Sequence, residues 1–186
     1  MLLDRARCFL LIVDMQERLV PAVLERETVV ANALRLVAAA RRLAVPVLMT
    51  EHCPAKIGPL VSELRGVVDA DAILTKVHFA AAREPDCAAR FAALGRPLAV
   101  LAGTEAHVCV LQSALSLLDA GYRPVVVSDA VSSRKAHDRD IALQRLRDAG
   151  VGLVTTEMVI FEWLERGDVP EFRELLPLIK SDGDSR

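Results

Sequence analysis

The stretch PLAVLAGTEAHVCVLQSALSLLDAG, residues 97–121, contains both of the patterns that decide the fold. A continuous apolar run ends at Gly103, and apolar residues at helical spacing begin a few residues later. A continuous run is typical of a strand covered on both faces, whereas a strand with one solvated face alternates between apolar and polar residues. The stretch therefore predicts a strand that passes through a short turn into a helix. Glu105, His107 and Cys109 lie in or next to that turn.

The same alternation of apolar runs and helical patterns occurs along the rest of the chain. Strands are predicted at 8–13, 46–51, 72–76, 97–103, 123–130 and 151–157. Helices are predicted at 27–44, 83–95, about 108–120, 138–150, 157–166 and 170–180. The segment 52–69, which contains prolines and glycine, is predicted to be a loop with one helical turn.

Strands that alternate with helices form right-handed βαβ units and a mainly parallel sheet. We therefore predict the α/β class: a three-layer α/β/α sandwich with a six-stranded, mainly parallel, Rossmann-like sheet. Residues 1–186 are expected to form a single domain, since this length can bury a sizeable core. The last residues, 181–186, are expected to form a frayed tail.

The composition excludes several classes of protein. Hydrophobic residues make up 53% of the chain, and 23 basic residues face 25 acidic ones, so no basic surface for nucleic acid is expected. No apolar run has the length of a membrane span, and the N-terminus does not fit a signal peptide. We expect a soluble, cytoplasmic protein. Its four cysteines form no CxxC pair, so free thiols are expected rather than a zinc site or a disulfide framework.

Polar residues follow the predicted strands where a parallel sheet binds ligands, at the carboxyl ends of its strands. Asp14 follows the first strand, Lys76 ends the third, and Cys109 lies in the turn after the fourth. Glu51, His52 and Asp129 also lie at strand ends. The topology therefore predicts a polar site along one edge of the sheet.

The residue types Asp14, Lys76 and Cys109 are sufficient for acyl transfer. A thiolate is the reactive form of cysteine, and both a helix N-terminus and a nearby Lys76 would lower its pKa. Asp14 could take the thiol proton and return it to a leaving amine. Backbone N–H groups near Cys109 could bind the oxyanion that develops on the substrate.

Each of the three residues also has an ordinary structural interpretation. A single cysteine is often a small core residue, the aspartate that begins DMQERL could cap a helix, and a lysine at a strand end is usually solvated. Their joint placement at strand ends favours the functional interpretation. His107, two residues before Cys109, raises the alternative of a Cys–His pair.

Four pieces of the chain carry a resemblance to a known family. They are LLIVDMQ (10–16), TKVHFAA (75–81), GTEAHVCVLQSAL (103–115) and VVVSDAVSSR (125–134), and they occur in the family's order. The chain resembles the isochorismatase-like cysteine hydrolases, a superfamily that includes nicotinamidases and N-carbamoylsarcosine amidases. It is most similar to the subgroup of isochorismatase domain-containing proteins.

The resemblance implies a role for each matching residue. Asp14 takes the place of the family's general base and acid, Lys76 that of its lysine, and Cys109 that of its nucleophile. The family's non-proline cis peptide falls between Thr104 and Glu105. The backbone N–H groups of Glu105 and Cys109 then form the oxyanion hole. His107 is accordingly expected to be structural or to lie at a subunit interface.

The sequence also departs from parts of the family. Isochorismatases that cleave a vinyl ether lack the nucleophilic cysteine, so its presence argues against that reaction. Nicotinamidases bind a metal through an Asp-x-His pattern, but the matching stretch TEHCPAKIG (50–58) has Glu51 and Cys53 at those positions, and His52 between them. We therefore expect no metal and no cofactor, and a substrate other than nicotinamide.

Further residues are assigned to the pocket or to its surroundings. Gln16 is predicted to position substrate or water, and Phe79 to line the pocket, with ordinary core packing as its alternative. The segment SSRKAHDRD (132–140) is expected to be a solvated loop and helix start.

The expected partners are a small-molecule substrate and further copies of the chain, in a dimer or a larger homo-oligomer, with no nucleic acid and no membrane. The alternative to an enzyme is a non-catalytic binding or assembly module that keeps the fold and a reactive thiol.

Overall fold

A computed structural model describes residues 2–180 and shows one six-stranded sheet. The strands are β1 (Cys8–Val13), β2 (Val47–His52), β3 (Ile73–Lys76), β4 (Leu98–Thr104), β5 (Arg123–Ser132) and β6 (Gly152–Val154). Their order is β3-β2-β1-β4-β5-β6, and every pairing is parallel. The predicted Rossmann-like α/β fold is confirmed. The tail predicted at 181–186 lies outside the described residues.

Eight α-helices accompany the sheet within residues 2–180. They are α1 (Arg26–Arg42), α2 (Pro54–Ile57), α3 (Ser62–Arg65), α4 (Pro85–Ala93), α5 (Leu111–Asp119), α6 (Ala136–Asp148), α7 (Thr156–Leu164) and α8 (Pro170–Lys180). A π-helical turn, Ala106–Val110, precedes α5. Over the same residues, no helix combines the length and apolar character that a membrane crossing requires.

The central strand β1 shows why the fold has three layers. All six of its residues are buried, and alternate side chains point to opposite faces of the sheet. Leu10 and Ile12 join a core that includes residues of α1, α7 and α8, whereas Phe9, Leu11 and Val13 join a second core with residues of α4, α5 and α6. Full burial of one such side chain contributes about 1.5–3 kcal/mol, so a strand that is apolar on both faces stabilises both helical layers.

Two predicted segments differ from the structure in their secondary structure or bounds. The segment 52–69 contains two short helices, α2 and α3, rather than one turn. The strand predicted at 151–157 is shorter, because the side chain of Thr155 accepts the Met158 N–H and caps α7.

The prediction of a solvated loop at 132–140 is wrong at its first two residues. Strand β5 follows β4 to its end, where Ser132 pairs with Thr104 after a shift in register. Ser132 and Ser133 are both fully buried, and α6 begins only at Ala136.

The strand order places a crevice between the carboxyl ends of β1 and β4. The chain continues from β1 to β2 on one side, while β4 lies on the other, and such a switch point is where doubly wound sheets bind ligands. Gly103 permits the close approach of these two strands. Its φ is +133°, and a Cβ atom there would lie 2.1 Å from the Val13 carbonyl oxygen. This contact fixes the end of β4 beside Asp14.

Candidate active site

Asp14 lies directly after β1, at the switch point of the strand order. Its backbone is left-handed, with φ +50°, and its side chain is fully buried. Thr50 Oγ1 donates a hydrogen bond to Asp14 Oδ1 at 2.6 Å, and Thr104 Oγ1 donates to the Asp14 carbonyl at 2.6 Å. The ends of β2 and β4 therefore hold both the carboxylate and the backbone of this residue.

Lys76, the last residue of β3, forms a buried ion pair with Asp14. Its Nζ lies 2.6 Å from Asp14 Oδ2, and it also donates to the carbonyls of His78 at 3.2 Å and Phe79 at 3.3 Å. An ammonium group has three donors, so all of them have acceptors here. A buried charge requires such hydrogen-bond partners. Without them, the free-energy cost of removing the charges from water exceeds their mutual attraction.

Cys109 lies in the π-helical turn and is 5% exposed. The charges of Asp14 and Lys76 both act on its thiol. The structure thus brings together the three residues that the sequence predicted for one site.

The pKa of Cys109 corrects one part of the sequence prediction. Burial raises it well above the usual thiol range, the negative charge of Asp14 raises it further, and Lys76 offsets only part of this effect. We expected the helix terminus and the lysine to lower the pKa. Lys76 does lower the pKa, as expected, but burial and the charge of Asp14 outweigh it, so the net shift is upward.

The turn that carries Cys109 differs from the predicted start of a helix. Strand β4 ends in a cis peptide bond between Thr104 and Glu105, and the N–H groups of Val108 and Val110 both donate to the Glu105 carbonyl, at 3.1 and 3.2 Å. The regular helix α5 starts only afterwards, at Leu111. Cys109 therefore projects from a π-helical turn, a form that is rare and often occurs at functional sites.

Two side chains connect this turn to the end of β5. His107 Nδ1 lies 2.9 Å from Ser133 Oγ, and Glu105 Oε1 accepts a hydrogen bond from Arg134 Nε at 2.5 Å. His107 thus contacts the residue that follows β5, whereas the charges that act on Cys109 are those of Asp14 and Lys76.

Gln16 and Phe79, predicted to contact the substrate, lie beside the site. The Gln16 amide donates to the carbonyls of His52 and Gly58 at 3.1 and 2.6 Å, and accepts the His52 N–H at 2.7 Å. This amide therefore holds the segment that follows β2. The Phe79 ring is 49% exposed and lies 5.0 Å from the His52 ring, so it is not packed in the core.

The residues at the metal-binding positions of nicotinamidases have other partners here. Glu51 Oε1 accepts the Leu60 N–H at 2.8 Å, and the Cys53 N–H donates to the Lys76 carbonyl at 3.0 Å. Burial and the charge of Lys76 lower the pKa of His52 below its usual range. Within residues 2–180, no three His, Cys, Asp or Glu side chains are grouped so as to hold a metal ion.

Sequence reasoning missed the supporting residues Thr50, Ser133 and Arg134, and it missed the hydroxyl contact of Thr104. A hydroxyl residue near the end of an apolar strand, as at Thr50 and Thr104, is a usable signal, because a buried hydroxyl needs a hydrogen-bond partner. Ser133 and Arg134 gave no comparable signal, since their partners lie in a different βα unit.

Comparisons with known proteins agree with this geometry. The family model for the isochorismatase domain matches residues 8–158. Isochorismatase domain-containing protein 2 of Danio rerio is 39% identical over 173 residues, which cover 91% of this chain and 85% of the fish protein. The chain belongs to the isochorismatase family.

Solved structures extend the likeness over almost the whole chain. The MAR1 ribonuclease of Caenorhabditis elegans has a TM-score of 0.90 and 32% identity, over 96% of this chain and 92% of the worm chain. The YcaC gene product of Escherichia coli, described as an octameric hydrolase of unknown specificity, has a TM-score of 0.91 and 27% identity, over 97% of this chain and 92% of that chain.

Proposed function

We propose that the protein is a cysteine hydrolase that cleaves a small amide, or a related carbonyl compound, through a thioester on Cys109. One observation carries this proposal: the Asp14–Lys76 pair is fully buried, and both of its charges act on the buried Cys109 thiol. A buried carboxylate next to a thiol can accept its proton, and a fixed ammonium group can stabilise the anion that results.

In the first half of the reaction, the Cys109 sulfur attacks the carbonyl carbon while its proton passes to Asp14. The carbonyl electron pair moves to the oxygen, and the N–H groups of Glu105 and Cys109 bind this oxyanion. The tetrahedral intermediate then collapses. Its C–N bond breaks, the proton on Asp14 passes to the leaving amine, and a thioester remains on Cys109.

In the second half, water replaces the amine. Asp14 takes a proton from water as its oxygen attacks the thioester carbon, and the proton is then returned to the Cys109 sulfur as the C–S bond breaks. The products are a carboxylic acid and the free enzyme, so Asp14, Lys76 and Cys109 end each cycle as they began it.

The raised pKa of Cys109 is compatible with this mechanism. At rest, the negative charge of Asp14 disfavours a thiolate beside it. When Asp14 accepts the proton, that charge disappears and the sulfur is left facing the Lys76 ammonium group. The nucleophile therefore forms during attack, when proton transfer and bond formation are coupled, and is not present as a standing thiolate.

We further propose that Gln16 and Phe79 shape the substrate site and that the protein works as a homo-oligomer. Support for an oligomer comes from the octameric E. coli relative and from the exposed side chains of Val77 and Phe79, which are 65% and 49% exposed. The four cysteines are all unpaired, which suits the reducing cytoplasm that the sequence predicted.

RNA is a less suitable substrate, although the C. elegans relative is called a ribonuclease. Binding to RNA depends on several basic side chains that neutralise phosphates. The cation at the centre of this site, Lys76, is already paired with Asp14 and two carbonyl groups.

The test is a panel of small amides, small esters and an RNA oligonucleotide, assayed with the wild type, Cys109→Ala and Cys53→Ala. Cys53 is a suitable control, since it is a partly exposed thiol that follows β2. We expect hydrolysis of at least one amide or ester by the wild type and by Cys53→Ala, and none by Cys109→Ala. Equal turnover in all three proteins would overturn the role of Cys109, absence of turnover in all three would support the alternative of a non-catalytic module, and RNA cleavage alone would overturn the amide assignment.

A further inference from the structure

Two consecutive residues after β5 bind the turn that carries Cys109. Ser133 Oγ lies 2.9 Å from His107 Nδ1, and Arg134 Nε donates to Glu105 Oε1 at 2.5 Å. Ser133 is fully buried, so water does not compete for its hydrogen bond. Glu105 and His107 come four and two residues before Cys109 in sequence. Both side-chain contacts therefore act on the backbone immediately before the nucleophile.

The turn needs such external support because it is short. Five residues, Ala106–Val110, form it, and the Glu105 carbonyl accepts two of its N–H groups. Short helical segments are marginal without tertiary contacts, since few hydrogen bonds repay the ordering of the backbone. Whatever fixes Glu105 therefore also fixes the direction in which the turn leaves β4.

The segment that binds the turn is itself anchored at two further points. Ser132 pairs with Thr104 in the sheet, and Ser132 Oγ donates to the Leu24 carbonyl at 2.7 Å. The Leu24 N–H in turn donates to the Ser133 carbonyl at 3.1 Å. The end of β5 is thus held both by β4 and by the segment that follows β1, and it provides a rigid support for the turn.

We propose that Ser133 and Arg134 are positioning residues that hold Cys109 against Asp14 and Lys76, acting through His107 and Glu105. This inference rests on the proposed function, because it assigns a purpose to the placement of the nucleophile. In this arrangement His107 is a structural link to β5 and takes no part in proton transfer. A displacement of a reacting atom by about 1 Å can lower a rate by about a hundredfold, so loss of this support reduces acyl transfer.

The experiment measures two reactions of Cys109 in Ser133→Ala and Arg134→Gln. The first is acylation by p-nitrophenyl acetate, which depends on Asp14, Lys76 and the oxyanion donors. The second is alkylation by iodoacetamide, which depends on the access to the sulfur and on its thiolate fraction but not on the oxyanion donors. We expect the acylation rate to fall by about ten- to a hundredfold in both variants, while alkylation of Cys109 stays equal or becomes faster. Arg134→Lys keeps the charge opposite Glu105 and should recover part of the acylation rate.

Matched controls are Ser128→Ala, which removes a β5 hydroxyl that donates to the Val154 carbonyl, and Arg166→Gln, which breaks an exposed ion pair with Asp168. Neither control substitution should change the rate at which Cys109 is acylated. Unchanged acylation in Ser133→Ala and Arg134→Gln would overturn the positioning role, as would an equal loss in the controls. A wild-type protein that is not acylated on Cys109 would instead contradict the proposed function, and this inference with it.

Discussion

Lys76 Nζ lies 2.6 Å from Asp14 Oδ2, and neither side chain has any exposed surface. The two residues come from the ends of β3 and β1, which are separated in the sheet by β2. The pair therefore forms only when β1, β2 and β3 are correctly assembled in the sheet. It also sets the electrostatic environment of the Cys109 thiol. Because Asp14 is negative and Lys76 positive, substitutions of the two residues should change the pKa of Cys109 in opposite directions.

Asp14→Asn should make the Cys109 thiol more reactive while it abolishes turnover. The charge of Asp14 raises the pKa of Cys109 and that of Lys76 lowers it, so removal of the carboxylate lowers the pKa and increases the thiolate fraction. Iodoacetamide alkylation near neutral pH, followed by peptide mass mapping, should show faster labelling of Cys109. Hydrolysis should be lost because no group remains to accept and return the proton. Slower labelling of Cys109 than in the wild type would contradict this account.

Lys76→Met should have the opposite effect on the thiol and a larger effect on folding. Without the ammonium group, burial and Asp14 raise the pKa of Cys109 further, so alkylation becomes slower. Removal of one partner from a buried ion pair costs about 3–5 kcal/mol, because the other charge remains buried. Urea denaturation measures this loss, and Cys53 provides the internal reference for alkylation. A variant as stable as the wild type would show that the pair contributes little to the fold.

Gly103→Ala should be strongly destabilising. A Cβ atom at this position would lie 2.1 Å from the Val13 carbonyl oxygen and 2.6 Å from the Val13 nitrogen, so β4 and β1 must separate next to Asp14. Gly95→Ala is the matched control, because Gly95 also has a positive φ but no atom lies within 4 Å of the added Cβ. The control isolates the conformational cost of about 1–2 kcal/mol. Equal losses in the two variants, measured by chemical denaturation, would mean that the strands tolerate the extra atom.

Glu84 should contribute to stability in a pH-dependent way. The His78 side chain and the Val77 N–H both hydrogen-bond to this carboxylate and lower its pKa from 4.5 to about 2. A pKa that is lower in the folded state stabilises the protein above the unfolded value, and this contribution is lost as the pH falls towards about 2. Thermal unfolding of the wild type and Glu84→Gln should therefore differ at neutral pH and converge in acid. A difference that is independent of pH would contradict the prediction.

The sequence was sufficient to predict the sheet, most helices and the residues at its carboxyl edge. Runs such as Cys8–Val13 are apolar at every position, and parallel strands bring their ends to the same edge. Asp14, Lys76 and Cys109 are each the polar or reactive residue that follows such a run, or lies in the turn after it. Local pattern and topology therefore place them together without any knowledge of side-chain packing.

The remaining features depend on contacts between distant elements. The π-helical form of Ala106–Val110 has no distinct residue pattern, since the same residues are compatible with the first turn of an α-helix. The burial of Ser133 follows from a register shift between β4 and β5. The raised pKa of Cys109 follows from the depth of the crevice, which strand and helix patterns do not specify.

The central claim, that Cys109 is the nucleophile, is tested most directly by trapping its acyl form. The wild type, Cys53→Ala and Cys109→Ala are mixed with p-nitrophenyl acetate, quenched in acid to preserve thioesters, and digested for peptide mass mapping. We predict one acetyl group on the peptide that contains Cys109 in the wild type and in Cys53→Ala, and none at that position in Cys109→Ala. Acetylation confined to Cys53, or equal acetylation of all three proteins at other residues, would contradict the account.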